Sequence, residues 1–545
     1  MKSDKELLSS IKISDKATNN SFTSTHDKEK QVIERLLIQS QDFTRSETAP
    51  TSPKNGATSI VSIDEAIKMT QKQQSWFQII TFVVISVPIM MSVTILYSIH
   101  YLQLEPKLLC SLDGKFYPCD KQEYCSLEIG VTSKIDLDNP YTLHNWIIDL
   151  DLVCAPQWKV AMLGVSLYIG YFVGSLFVGP YADIYGRRKI FLLTSLVFMI
   201  SNGLMLVLLN VYAYSFLLFI YGMTGSGRMI VGHIYATEFF GGQSKGQQVM
   251  TTVIKVMCAA TPIFTTTLFL YITKSWVVLY VIMLSLTGIG FIFSIFVPES
   301  PKYLVNIGKY DEAKEIIQNM SMINNNSRLD FILINEIEQK DNNLSQQKKI
   351  TPQMGLYQKF ISLLRNSDKV LMKRFYIMCA MWFLGYFGFI FMKLQIKNIS
   401  GDVFQNTNFA ALADVSGTLI IGVINLFLGI RLAFFISFMI SVVFGILLMI
   451  FQSQTNENII SALVFFSNFG VSAAYLICLI GAVTLFPTKI KATSYSLGNM
   501  MSRFAGIFAP VFVEASAPIP MLTFISVSAL GAVISLGLDT TIPVE

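Results

Sequence analysis

The chain predicts an all-α, polytopic membrane fold, and three observations carry that prediction. About twelve apolar runs are each long enough to cross a bilayer core. Hydrophobic residues make up 52% of the 545 and charged ones 14%, where a soluble domain carries about a quarter charged. The short loops between runs are basic and one long loop is acidic, the asymmetry that orients helices in a membrane.

The elements follow in order. Residues 1–76 are polar, rich in Ser, Thr, Lys and Gln, with no apolar segment of the kind a cleavable signal peptide needs. They read as a largely disordered cytoplasmic tail, with a short helix around 60–73. Residues 77–298 hold six runs near 77–99, 160–181, 190–209, 213–236, 249–272 and 275–297, an N-terminal six-helix bundle. Between the first two runs, residues 100–158 carry nine carboxylates against four lysines and form an extracellular loop. Four of the seven cysteines, Cys110, Cys119, Cys125 and Cys154, fall in it. An even number in an oxidising compartment predicts two disulfides, with all three connectivities open. No CxxC pair favours a zinc site over them, so no metal is expected.

Residues 299–372 form a cytoplasmic linker of nearly balanced charge. Helical apolar spacing at 309–320 and 329–340 predicts short amphipathic helices there. Six more runs near 375–394, 409–429, 432–451, 459–486, 492–513 and 520–538 give a C-terminal six-helix bundle over 373–538, and 539–545 is a short cytoplasmic tail. The loop charges place both ends of the chain in the cytoplasm. A net charge of +5 spread along the chain excludes nucleic-acid binding as its business. With four histidines, no nucleotide loop and no clustered ligands, no catalytic constellation and no cofactor are expected.

One stretch is more specific. GPYADIYGRRK, from Gly179 to Lys189, joins the second and third runs. It resembles the G-x-x-x-D-x-x-G-R-R loop at that place in major facilitator superfamily transporters. Half of it returns after the eighth run as LGIR, Leu428 to Arg431, without the carboxylate and without one arginine. DLVCAPQW (151–158), VPESPKYLV (297–305) and LFPTKIKATSYSLGNMMSRFAGIFAP (485–510) are similar to motifs of the organic cation, anion and carnitine transporters of that superfamily. Thr484, Lys491 and Leu218 depart from the family's glutamate, arginine and arginine, so the chain is identified as a divergent member. The resemblance implies two bundles that rock about a central substrate site, the mechanism called alternating access. It also implies an inner gate of ion pairs, for which the candidates are Asp183, Arg187, Arg188, Glu238, Lys245, Glu299 and Lys302.

Substrate charge is argued from depth. At about 1.5 Å per residue a helix reaches the midplane in about ten residues. Arg228 precedes Glu238 by ten, Lys255 lies about eight into the fifth run, and Arg503 about twelve beyond Lys491. The one mid-span carboxylate is Asp414, placed near the outer end of the eighth run and considered as a structural partner for Arg503. Cations buried this deep need counter-ions, and an anionic guest supplies one. In the resembling family, the Arg503 position holds arginine in anion and carnitine-type carriers and aspartate in cation carriers, although Thr418 stands where anion carriers often have lysine. Trp382, Tyr386, Phe387 and Tyr475 are the candidate aromatic walls of the site.

The expectation is therefore a membrane carrier of small organic anions or zwitterions in the plasma membrane. Its partners are the substrate, the bilayer and a coupling ion or exchange substrate. Two rivals remain: a cation or sugar carrier on the same scaffold, and a non-transporting receptor or structural subunit.

Overall fold

The structure is a computed structural model and describes residues 59–71, 75–112, 115–126, 133–241, 262–329, 331–334, 369–453, 456–486 and 488–539. Strand β1 (Ser59–Val61) and the short α1 (Ile63–Met69) come first. The first half is built from α2 (Trp76–Leu102), α3 (Gln157–Tyr185), α4 (Arg187–Met205), α5 (Val211–Thr237), a helix over Pro262–Thr273, and α6 (Trp276–Ser294). In the linker α7 (Tyr310–Ile323) is amphipathic, as its spacing predicts. The second half contains α8 (Lys369–Gln395), α9 (Val403–Phe451), α10 (Glu457–Thr484), α11 (Thr488–Val513) and α12 (Ile519–Leu536). Among the described residues, eight helical segments are long and apolar enough to cross a membrane by length and composition alone.

Both halves turn in the same way. α3 and α4 meet at Gly186, with φ 108° and ψ 149°; α9 breaks at Gly429, with φ 75° and ψ 165°, so it is two spans joined by one residue. A positive φ is cheap for glycine and strained for any other residue. The repeat seen in GRRK and LGIR is thus a repeat of backbone geometry.

The buried side chains divide into three clusters. One joins both halves on the side of the acidic loop, including Tyr101, Tyr168 and Tyr171 from the first half and Tyr386, Phe404 and Phe524 from the second. On the linker side each half has its own core: Phe191, Tyr235 and Tyr303 in one, Phe375, Trp382 and Phe434 in the other. The halves are closed at the loop end and separately packed at the linker end. Rings mark the closure, with Tyr101 stacked on Phe404 at 5.2 Å and Tyr97 edge-on to Phe389 at 6.5 Å.

The acidic loop holds a three-stranded sheet. β2 (Leu108–Leu112) pairs antiparallel with β3 (Lys115–Cys119) and β4 (Ser133–Ile135). Its disulfides are Cys110–Cys119 and Cys125–Cys154, which selects one of the three connectivities.

Two expectations change. The segment 329–340 is not a helix where it is described: Phe331–Leu333 is strand β5, parallel to β1. Burial of Phe331 and Leu333 on either side of Ile332 is a strand alternation that the helical count overlooked. Within the tail, the short helix expected around 60–73 is present as α1, capped by Ser62 in a reciprocal box with Glu65, and the described stretch 59–71 adds strand β1 ahead of it. The helix of the eighth run begins at Val403 rather than 409, so Asp414 lies eleven residues, about 16 Å, along it rather than about five.

Candidate functional site

Small residues bring α3 of the first half against α11 of the second. A Cβ at Gly506 would stand 2.7 Å from the Tyr168 ring and 3.2 Å from the Tyr386 ring, and one at Gly164 would stand 2.8 Å from Pro510. That close crossing delivers Arg503 of α11 to the junction of the halves. Its Nη1 donates to the Tyr386 hydroxyl at 2.7 Å, and its guanidinium carbon lies 5.2 Å from the Tyr386 ring centroid and 5.5 Å from that of Tyr171. Arg503 is 5% exposed, its Nε has no hydrogen-bond partner, and no carboxylate among the described residues pairs with it.

The aromatic candidates gather here in part. Tyr475 lies 5.2 Å from Tyr386, 5.4 Å from Phe389 and 6.1 Å from Trp382. Trp382 is reached through Tyr475 and seated over Gly498, where any Cβ would meet the indole. Phe387 points elsewhere, packing on Phe391 at 5.5 Å and Phe512 at 6.2 Å. Arg228 also stands apart, inside the first half and wholly buried, with its guanidinium 3.3 Å from the centroid of Phe198 and none of its nitrogens hydrogen-bonded. Lys255 lies outside the described residues.

The structure adds a cation that the sequence reading missed. Lys393 of α8 donates to Asp414 Oδ2 of α9 at 2.5 Å, and both are buried. Asp414 Oδ1 accepts from Asn468 at 2.7 Å and from Ser472 at 2.5 Å. Asp414 therefore belongs to Lys393 and not to Arg503, which corrects the structural pairing considered for the arginine. Lys393 sits one residue from the end of an apolar run and looks like a boundary residue. Its seven-residue spacing from Tyr386 and a mid-span aspartate in need of a partner were the available signal.

A second group of charges lies at the linker side. Arg187 pairs with Asp183 at 2.6 Å and with Glu238 at 3.4 Å, and its guanidinium covers the Tyr303 ring at 5.4 Å. Glu299 accepts from the Arg188 backbone N–H at 3.0 Å, while the Arg188 side chain donates to the Ile295 carbonyl at 2.5 Å. Burial raises the Glu238 carboxyl above its ordinary range, and Ser300 and Arg187 pull it back. Lys302 does not join this cluster but pairs with Asp64 of α1 at 2.6 Å. Lys245 lies outside the described residues. The described members all come from the first half and the start of the linker, with α1 clipped beneath them.

A cavity of about 820 Å³ opens at the loop side, lined by Lys107 and Lys121 of the acidic loop and by Lys397 and Glu514 of the second half. Lys397 and Glu514 form an ion pair in its lining.

Comparison with known proteins bears on the family and the fold. A family model described as Major Facilitator Superfamily matches residues 155–510. The chain is 26% identical to solute carrier family 22 member 4 of Mus musculus over 407 residues, covering 74% of this chain and 70% of that one. It is 24% identical to organic cation/carnitine transporter 2 of Mus musculus, covering 72% and 68%. Among solved structures it resembles the inward-open xylose transporter XylE from E. coli, with a TM-score of 0.55, 11% identity and coverage of 85% and 96%. A D-xylose-proton symporter gives a TM-score of 0.56 at 10% identity, covering 86% and 98%.

Proposed function

This chain belongs to the Major Facilitator Superfamily, as a divergent organic ion transporter, and we propose that it carries small organic anions or zwitterions by alternating access. It is a multi-pass secondary transporter and not an enzyme. One observation supports the choice of substrate: Arg503 is buried where the two halves meet, hydrogen-bonded to a neutral phenol and paired with no acid among the described residues. A guanidinium out of water demands a counter-charge, and it binds a carboxylate or sulfonate through two parallel N–H donors. The same charge repels a cation entering alone.

The rings beside it suit the other end of a zwitterion. Tyr386, Tyr475 and Phe389 offer electron-rich faces of the kind that hold quaternary ammonium groups. Carnitine, from which one of the relatives takes its name, carries both a carboxylate and such a group. A sugar would want many amides and acids, and the wall built by Trp382, Tyr386 and Tyr475 is mostly apolar.

The charge pattern of the loops supports a disulfide-bearing loop outside and a linker inside, and the oxidising exterior that the disulfides need suits the plasma membrane as host. In that orientation the halves share a core outside and pack separately inside, the arrangement expected of an inward-facing state. Asp183, Arg187, Arg188, Glu238 and Glu299 act as the inner gate, with Lys302 holding α1 beneath it. A coupling ion or an exchange substrate drives the cycle.

The test is uptake of charged and neutral organic probes by cells expressing the full chain. Arg503→Asp abolishes uptake of anions and zwitterions at unchanged surface expression, and Arg503→Lys retains part of it. Undiminished anion uptake in Arg503→Asp refutes the assignment.

A further inference from the structure

We propose that the buried Lys393–Asp414 pair couples transport to protons, making the carrier a symporter of one proton with one organic monoanion. The proposal deepens the anion reading above and rests on it.

The pair is built as a switch between two partners for one ammonium. On α8, Tyr386, Phe389 and Lys393 stand at i, i+3 and i+7, on one helix face. Tyr386 receives the hydrogen bond from Arg503, Phe389 stacks with Tyr475, and the Lys393 ammonium lies 5.2 Å from the Phe389 centroid. Lys393 is thus one turn beyond the aromatic wall of the substrate site, and its side chain leans back toward that site because Cα–Cβ bonds tilt toward the helix N-terminus. Asp414 receives Lys393, Asn468 and Ser472. Asn468 also donates to the Ala410 carbonyl.

Three other charged or titratable groups among the described residues near the pair have partners of their own. Lys397 is held by Glu514, just past the end of α11, and His100 of α2 bonds Thr407 through Nε2. Arg503 is on Tyr386, beyond the rings. Asp414 is therefore the carboxylate that the described residues place within reach of a substrate-site lysine.

The cycle balances in charge and atoms. With the site open outward, a proton from the outer solution binds one Asp414 oxygen, giving a neutral carboxyl that Asn468 and Ser472 still hold. The Lys393 ammonium, released from its pair, joins Arg503 around the substrate carboxylate. After the halves rock, the substrate leaves inward and the proton passes from Asp414 to the inner solution. Lys393 then returns to the aspartate. One proton and one monoanion move together, and no net charge crosses.

The experiment uses full-length protein in proteoliposomes loaded with a pH-sensitive dye, with L-carnitine and a membrane-impermeant carboxylated fluorophore as probes. An inward proton gradient should drive accumulation of the monoanionic probe by about tenfold per pH unit at steady state, without a membrane-potential dependence. Any flux left in Asp414→Asn no longer follows the gradient, and the Lys393→Gln/Asp414→Asn double variant controls for a lysine stranded by the single change. Infrared difference spectra of the wild type across pH should show the carbonyl stretch of a buried protonated carboxyl that vanishes in Asp414→Asn. Anion flux that ignores the pH gradient overturns the coupling while leaving the anion reading intact. If neither probe moves, the anion reading fails, and the absence of that band at every pH overturns the coupling on its own.

Discussion

Arg503 and Tyr386 show how one hydrogen bond prepares a binding group. The phenol fixes the guanidinium plane through Nη1 and leaves Nε without a partner. A hydrogen bond to a charged group is worth about 1.5–3 kcal/mol. Tyr386→Phe should therefore weaken substrate affinity by about tenfold or more, with a smaller change in maximal rate, measured as KM against Vmax in uptake. An unchanged KM means that the phenol does not orient the arginine. The arginine itself was legible in the sequence, because a cation about twelve residues into an apolar run has few roles. Which cation owned Asp414 was not, since pairing across α8 and α9 depends on where α9 starts, and the helix from Val403 up to residue 409 was hidden in a polar-looking stretch.

At the scale of elements, two turns built on one glycine each show what the charged loop adds. A Cβ at Gly186 would run into the Glu299 carboxylate, while one at Gly429 meets nothing within 4 Å. Both glycines have positive φ, so alanine strains either turn by about 1–3 kcal/mol. Only Gly186→Ala also evicts Glu299 from the Arg188 and Ser300 backbone N–H groups. Thermal unfolding of the purified protein should show Gly186→Ala clearly less stable than Gly429→Ala; equal losses would mean the Glu299 contacts add nothing to the first turn. The decayed LGIR motif announced this asymmetry, because a loop that has lost its carboxylate and an arginine has little left to pack against the turn. The pairing of β1 with β5 was not announced. It joins Ser59 to Phe331, far apart along the chain, and no local periodicity records a partner that distant.

For the whole molecule, the shared core on the loop side and the divided cores on the linker side are what a rocking carrier requires. The split into halves and the place of most spans could be read from hydropathy, since bilayer thickness sets span length so strictly. The conformational state could not, because the same residues must pack in both states and the sequence encodes the sum. Tyr101 and Phe404, stacked at 5.2 Å across the two halves, offer a direct test of that motion. A carrier that works by alternating access has to separate these rings once per cycle, whereas a channel or a rigid receptor does not. The variant Tyr101→Cys/Phe404→Cys, treated with a short bifunctional thiol reagent that a reductant can cleave, should lose substrate uptake on linking and regain it on cleavage. The parent protein, treated in parallel, controls for its own thiols, of which Cys478 is buried. Complete linking with uptake at the parent rate would mean that this closure never opens during transport, and the two-state reading of the divided cores would fall with it.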